Sequence, residues 1–227
     1  MRSFPFTADV YFSLFETYNS AIWPAQLVAY GLGILALVLA LRPRAAGGRI
    51  ALAVLSIFWL WNGIAYHLLH FLQINFAAPA FAALFVLQGV LFAGYVVGGR
   101  SIFRFRTDVF GWSGLLFCLF ALAAYPLLGW LAGHGWPRAG VFGVAPTPTT
   151  IFTFGMLLML EGGAPLYLFA IPVLWSLAGG SAAVFILRIP EDVSLLVAGV
   201  VGPCMLVWKF AKNRSELRNT SHLKNTR

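Results

Sequence analysis

The apolar residues of this chain come in long, nearly unbroken runs, such as "AQLVAYGLGILALVLAL" at 25–41 and "APAFAALFVLQGVLFAGYVV" at 78–97. An α-helix needs about 20 such residues to cross about 30 Å of hydrocarbon. With 60% of its 227 residues hydrophobic and 10% charged, the chain holds more apolar surface than a water-soluble domain of this length can bury. The pattern predicts one all-α domain, a polytopic transmembrane helix bundle of about seven spans at 21–41, 50–71, 79–98, 110–131, 149–162, 165–187 and 192–210. The fifth segment is short, and the sixth carries Pro172 and "AGGSAA" at 178–183, so six spans are the alternative count. Ahead of the first span, Thr7 as N-cap and Asp9 in the first turn predict a short interfacial helix over about 8–20, with Trp23 and Pro24 starting the span.

The charges give a separate estimate of topology. Arg42, Arg44, Arg49, Arg100, Arg104, Arg106, Lys209, Lys212, Arg214, Arg218, Lys224 and Arg227 fall on one side of a seven-span layout, twelve of the 15 basic residues; Arg2, Arg138 and Arg188 fall on the other. By the positive-inside rule the N-terminus is outside and the C-terminus cytoplasmic. The basic segment 211–227 reads as a flexible tail that can lie on anionic lipid headgroups. Net charge +8 does not indicate nucleic acid here, because the basic residues sit between apolar segments and in the tail. Cys118 and Cys204 lie in separate apolar runs and form neither a disulfide framework nor a metal motif. No cleaved signal peptide or lipidation motif is visible.

Polar residues within the apolar runs are the candidate functional groups. At about 100° per residue, Glu16, Asn19, Trp23, Gln26 and Tyr30 share one stripe, provided the helix continues through Pro24 without a large kink. Asn62, Tyr66, His67 and His70 share a side of the second span on the same arithmetic. Gln88 and Tyr95 lie in the third span, and Thr147, Thr149, Thr150 and Thr153 open the fifth. Unpaired polar groups cost several kcal/mol in hydrocarbon, so these faces should meet as a polar cluster in the outer half of the bundle. Amides and threonines such as Gln26, Gln88, Thr150 and Thr153 also serve as hydrogen-bonding glue between helices.

The His67/His70 pair at i,i+3 could supply two ligands to a divalent transition metal, with Glu16 as a third, or could relay protons. Without HExxH or a cysteine cluster this metal signal is weak. Haem is not expected, since the other histidines, His134 and His222, lie in a loop and in the tail. Retinal is not expected either, because the last span has no lysine before Lys209. The small residues of "AGGSAA" read as close helix packing, Glu191 and Asp192 of "RIPED" as a helix start at the outer boundary, and Glu161 as a solvated turn.

The stretches "PFTADVYFSLFETYNSAIWP", "WLWNGIAYHLLHFLQINFAA", "FVLQG", "PTTIFTFG" and "LWSLAGGSAAVFILRIPED" together resemble a family of bacterial multi-pass membrane proteins classed only as a domain of unknown function. The resemblance covers nearly the whole chain. It implies a bacterial inner-membrane setting and carries over no activity or catalytic residue. Three classes of function follow: binding or permeation of a small solute, ion or metal through the outer polar cluster; a metal-binding enzyme or redox protein using His67 and His70; or a sensor or assembly factor acting through the basic tail. The first fits the compact bundle best. A homo-oligomer is compatible with all three.

Overall fold

The computed structural model describes residues 5–98 and 102–225, with side chains up to 215; of the basic residues counted above, Arg2, Arg100 and Arg227, and the side chains of Arg218 and Lys224, lie outside these limits. The described residues are all-helical: α1 Ala8–Ala21, α2 Ala25–Ala40, α3 Ala45–Trp61, α4 Ala78–Val97, α5 Val109–Leu119, α6 Tyr125–Leu131, α7 Pro146–Met159, α8 Ala170–Ser181 and α9 Val193–Asn225. Three π-helical segments, Asn62–His70, Phe120–Ala124 and Ala182–Ile186, prolong α3, α5 and α8. The tail expected to be flexible continues α9 as helix to Asn225. Its Ala, Lys, Arg, Glu and Leu residues favour helix, and extending an existing helix avoids the cost of nucleation.

Among the described residues five stretches are long and apolar enough to cross a membrane: Ala45–Gln73, Ala78–Val97, Val109–Leu131, Leu166–Ile186 and Pro190–Ser215. α1 and α2 qualify only as a pair, bent by 87° at the break between them. The count is therefore five, or six with the bent pair. The segment expected as a fifth span is α7, whose 14 residues give about 21 Å of helix, short of a full crossing. Large side chains such as Leu27, Ile34, Leu116, Phe185 and Val197 point outward, so the bundle presents an apolar exterior.

α7 is the centre of the bundle, and all of its 14 residues are buried. It packs on α5, α9, α8, α3 and α2. Its first turn carries Pro146 and Pro148, which need no N–H partner there. Thr149 and Thr150 donate their hydroxyls to the carbonyls of Ala145 (2.7 Å) and Pro146 (2.8 Å). At the other end Lys209, expected as a loop charge, is 7% exposed and donates Nζ to the carbonyls of Leu158 (2.6 Å) and Leu160 (2.8 Å). A cation on the last carbonyls caps the helix and complements its dipole. Around the same end Arg104 N–H donates to Met159 O, Glu161 N–H donates to Ile102 O, and the exposed Glu161 pairs with Arg104.

Contact between α5 and α7 is closest at two glycines. A Cβ on Gly155 would lie 2.6 Å from the Gly114 carbonyl and 2.7 Å from Cys118 Sγ, whereas one on Gly94 in α4 meets nothing within 4 Å. Gly155→Ala is expected to lower stability by about 1–3 kcal/mol through overpacking. Gly94→Ala should be neutral or stabilising by up to about 1 kcal/mol, from helix propensity alone. Thermal unfolding of the purified protein checks both, and equal midpoints would contradict the close α5–α7 contact.

Candidate functional site

The polar residues singled out in the sequence are mostly spent on backbone carbonyls. Asn19 Nδ2 donates to Pro137 O (2.6 Å) and Ala139 O (2.8 Å), and Gln26 Nε2 donates to Asn19 O (2.9 Å). Asn62 Nδ2 bonds Phe58 O and Gly143 O. Gln88 Nε2 donates to Leu168 O, and Thr153 Oγ1 donates to Thr149 O while accepting the Trp59 indole N–H. Thr150 closes on its own helix. These bonds tie α1 to α2 and to the loop 132–145, the end of α3 to that loop, α3 to α7, and α4 to the turn ahead of α8.

Glu16 does not join them. The 87° turn between α1 and α2 breaks the stripe, because helical-wheel arithmetic does not carry across a bend. Asn19 and Gln26 still meet by hydrogen bond across the corner, but Glu16 is exposed, with Arg138 Nε at 3.9 Å. The i,i+3 histidine pair is also separated. Over Asn62–His70 the chain is π-helical, so an offset of three residues no longer brings side chains onto one face. His67 is fully buried among Phe71, Phe81, Phe85 and Trp175, with no partner for either ring nitrogen. His70 turns to Tyr18, and its Nδ1 lies 2.7 Å from Ala65 O, as the donor. Among the described residues no three His, Cys, Asp or Glu side chains converge in a metal-holding arrangement.

What the fold does build is a cavity of about 440 Å³ at the end of the bundle that carries α1. Its lining is aromatic and small: Phe6, Tyr11, Phe71, Phe81 and Trp175, with Ala178, Gly179, Ala182 and Ala183 from α8 and its π-helical extension. The rim includes Phe76, which is 84% exposed. Tyr66, Asn75, Thr147 and Asp192 supply the polar groups. Of the polar residues singled out in the sequence, Tyr66 and Thr147 line it. Two of the π-helical segments form its walls, one bringing Tyr66 and the other Ala182 and Ala183. The "AGGSAA" glycines pack closely, Gly179 under the Trp175 ring and Gly180 against Leu196, while Ala178, Ala182 and Ala183 border the cavity.

Among the described residues Asp192 is the one charged group in the lining, 2% exposed. The sequence pattern places it in a helix start at the outer boundary. A turn at Pro190–Asp192 does precede α9, but its two acids are buried, Glu191 against His134 of the loop 132–145 and Asp192 against Tyr125 of α6. Tyr125 donates its hydroxyl to Asp192 Oδ1 at 2.8 Å, and Thr147 faces the same carboxyl. Neighbouring Glu191, 7% exposed, meets His134 Nδ1 at 3.1 Å, and His134 stacks on Phe12 at a 3.8 Å ring separation. Glu191 Oε2 and Trp175 Nε1 are buried without partners. Sequence reasoning missed Asp192, Glu191, Tyr11, Tyr125 and Trp175 as a group. The available signal was two adjacent acids, among only seven in the chain, directly following an apolar run.

Compared with known protein families, residues 8–216 match DUF6064, a family of unknown function, and the chain belongs to that family. No curated protein and no solved structure matches it.

The Tyr125–Asp192 bond fixes α6 to the start of α9. Tyr125→Phe is expected to destabilise the protein by about 1.5–3 kcal/mol, the range for a buried hydrogen bond to a charged group. Tyr167→Phe, at an exposed position, should stay within about 0.5 kcal/mol of wild type. Unfolding midpoints of the two variants provide the check.

Proposed function

We propose that this member of DUF6064 is a membrane-embedded protein that binds a small, largely apolar solute in the cavity beside Asp192. The observation that carries the reading is the cavity itself: about 440 Å³ of space, aromatic-walled with a few converging polar groups, in a bundle whose centre is otherwise filled by α7. Sites for small molecules are of this kind, some 300–1,000 Å³ of mainly apolar lining with a few polar groups that orient the ligand. Tyr66, Asn75, Thr147 and Asp192 are the polar groups that converge on the cavity.

The finer setting belongs to the same proposal. Seven passes, counting α2 and the short α7, with α1 along the outer surface of a bacterial inner membrane, put the cavity mouth on the outer side. The arginine-rich loops and the basic end of α9 then lie on the cytoplasmic side, where the positive-inside rule wants them, next to anionic headgroups. Solute loading from outside is the direct consequence. Onward permeation would require α7 to part from its neighbours.

Native mass spectrometry of protein purified from its own membranes tests the binding reading. The wild type is expected to retain a small-molecule mass, and Ala182→Phe, which fills the cavity, to lose at least about nine-tenths of it, the loss for a contact worth more than about 1.4 kcal/mol. A wild type without adduct, or an adduct undiminished in the variant, contradicts the reading.

A further inference from the structure

We infer that the solute is an organic cation, a substituted amine or quaternary ammonium whose charge sits against Asp192 and whose apolar body lies among the rings of Tyr11, Tyr66, Phe71 and Trp175. This rests on the cavity being a binding site, and adds the chemical class of its occupant.

The charge inventory of the site carries the inference. A carboxylate removed from water needs a compensating charge or a full set of donors. Asp192 is almost wholly buried, and among the described residues it forms no salt bridge with lysine or arginine. The basic groups of this end of the bundle lie outside the lining. His134 is engaged with Glu191, Arg138 lies near Asp9 and Glu16, and Arg188 is exposed. The first turn of α7, which approaches Asp192 through Thr147, carries two prolines that have no N–H to give. One phenol and one threonine thus face a charge whose other polar neighbours, the hydroxyls of Tyr11 and Tyr66 and the carboxyl of Glu191, bring no positive charge. The negative site is left for a ligand to complete.

The walls fit the same class independently. Aromatic faces attract a cation through their quadrupoles, Trp most strongly, and paired with a carboxylate they form the usual recognition surface for ammonium groups. Here Tyr66 stacks on Phe71 at 5.5 Å, Tyr11 meets Phe71 edge-on at 6.3 Å, and Trp175 stands edge-on to Phe81 at 5.3 Å. The cavity thus has a largely aromatic lining, in which Trp175 is itself carried on α8 and packs over Gly179. An anionic ligand would meet a carboxylate in that lining and no basic residue among those described.

Thiol-reactive probes of opposite charge test this. Ala182→Cys is made in a Cys204→Ser background, where the remaining Cys118 is buried. It is then treated with methanethiosulfonates bearing a trimethylammonium-ethyl or a sulfonatoethyl group, each rate being divided by that reagent's rate with 2-mercaptoethanol. The cationic reagent is expected to react at least about tenfold faster, from attraction by a nearby unscreened carboxylate. Tetramethylammonium should slow it, Asp192→Glu should keep the preference, and Asp192→Asn should reduce it to about threefold or less. Equal corrected rates, or a preference unchanged in Asp192→Asn, overturn the cation assignment while leaving a reachable cavity. If neither reagent modifies the thiol introduced by Ala182→Cys, the binding reading fails along with it. The wild-type Asp192 comparison and tetramethylammonium protection stand whether or not Asp192→Asn folds.

Discussion

Everything in this bundle depends on one requirement: a polar group inside an apolar assembly must find its partner within the chain. α7 shows it most clearly, as a helix too short to reach both surfaces and with no exposed residue. Its ends therefore open inside the structure, where free carbonyls would be costly. Lys209 answers at one end, carried in from α9 to donate to Leu158 and Leu160, with the backbone of residues 102–104 completing the closure. At the other end Pro146 and Pro148 have no N–H to leave unpaired, and Thr149 and Thr150 satisfy their own hydroxyls on the carbonyls of Ala145 and Pro146.

The same shortness of α7 locates the cavity. Where its first turn stops at Thr147, the surrounding helices continue past it, and the space is walled by α1, by the π-helical ends of α3 and α8, and by the turn leading into α9. A π-helical turn displaces side chains from the positions an α-helix would give them, and such turns occur often at functional sites. Here one turn sends His67 into an aromatic nest and Tyr66 into the cavity lining. Ala178, Ala182 and Ala183 border the same space. Asp192 then stands where the end of α7 leaves room for a ligand.

The sequence is informative about elements and poor about their junctions. Long apolar runs dictate helices at 25–40, 78–97 and 193–208 because no other backbone arrangement satisfies itself without water. Thr7 caps α1 as its side chain requires, accepting from Val10 N–H. The reading of Gln88 and Thr153 as glue follows from the same polar accounting. The bend at Trp23–Pro24, the π-helical turn at Asn62 and the burial of Asp192 are tertiary outcomes. Each depends on what packs alongside, and a periodicity of 3.6 residues has no term for that. Helical spacing overvalues Glu16 and undervalues Asp192 for this reason: Glu16 lies exposed in the middle of α1, whereas Asp192, just ahead of α9, is buried against Tyr125 and Thr147.

A density map of the protein extracted directly into lipid nanodiscs tests the central claim most directly. Non-protein density is expected within the cavity, in contact with the Asp192 carboxyl and flanked by Trp175 and Tyr66. A cavity closed by repacked side chains, or Asp192 paired with a lysine or arginine of its own chain, would contradict it.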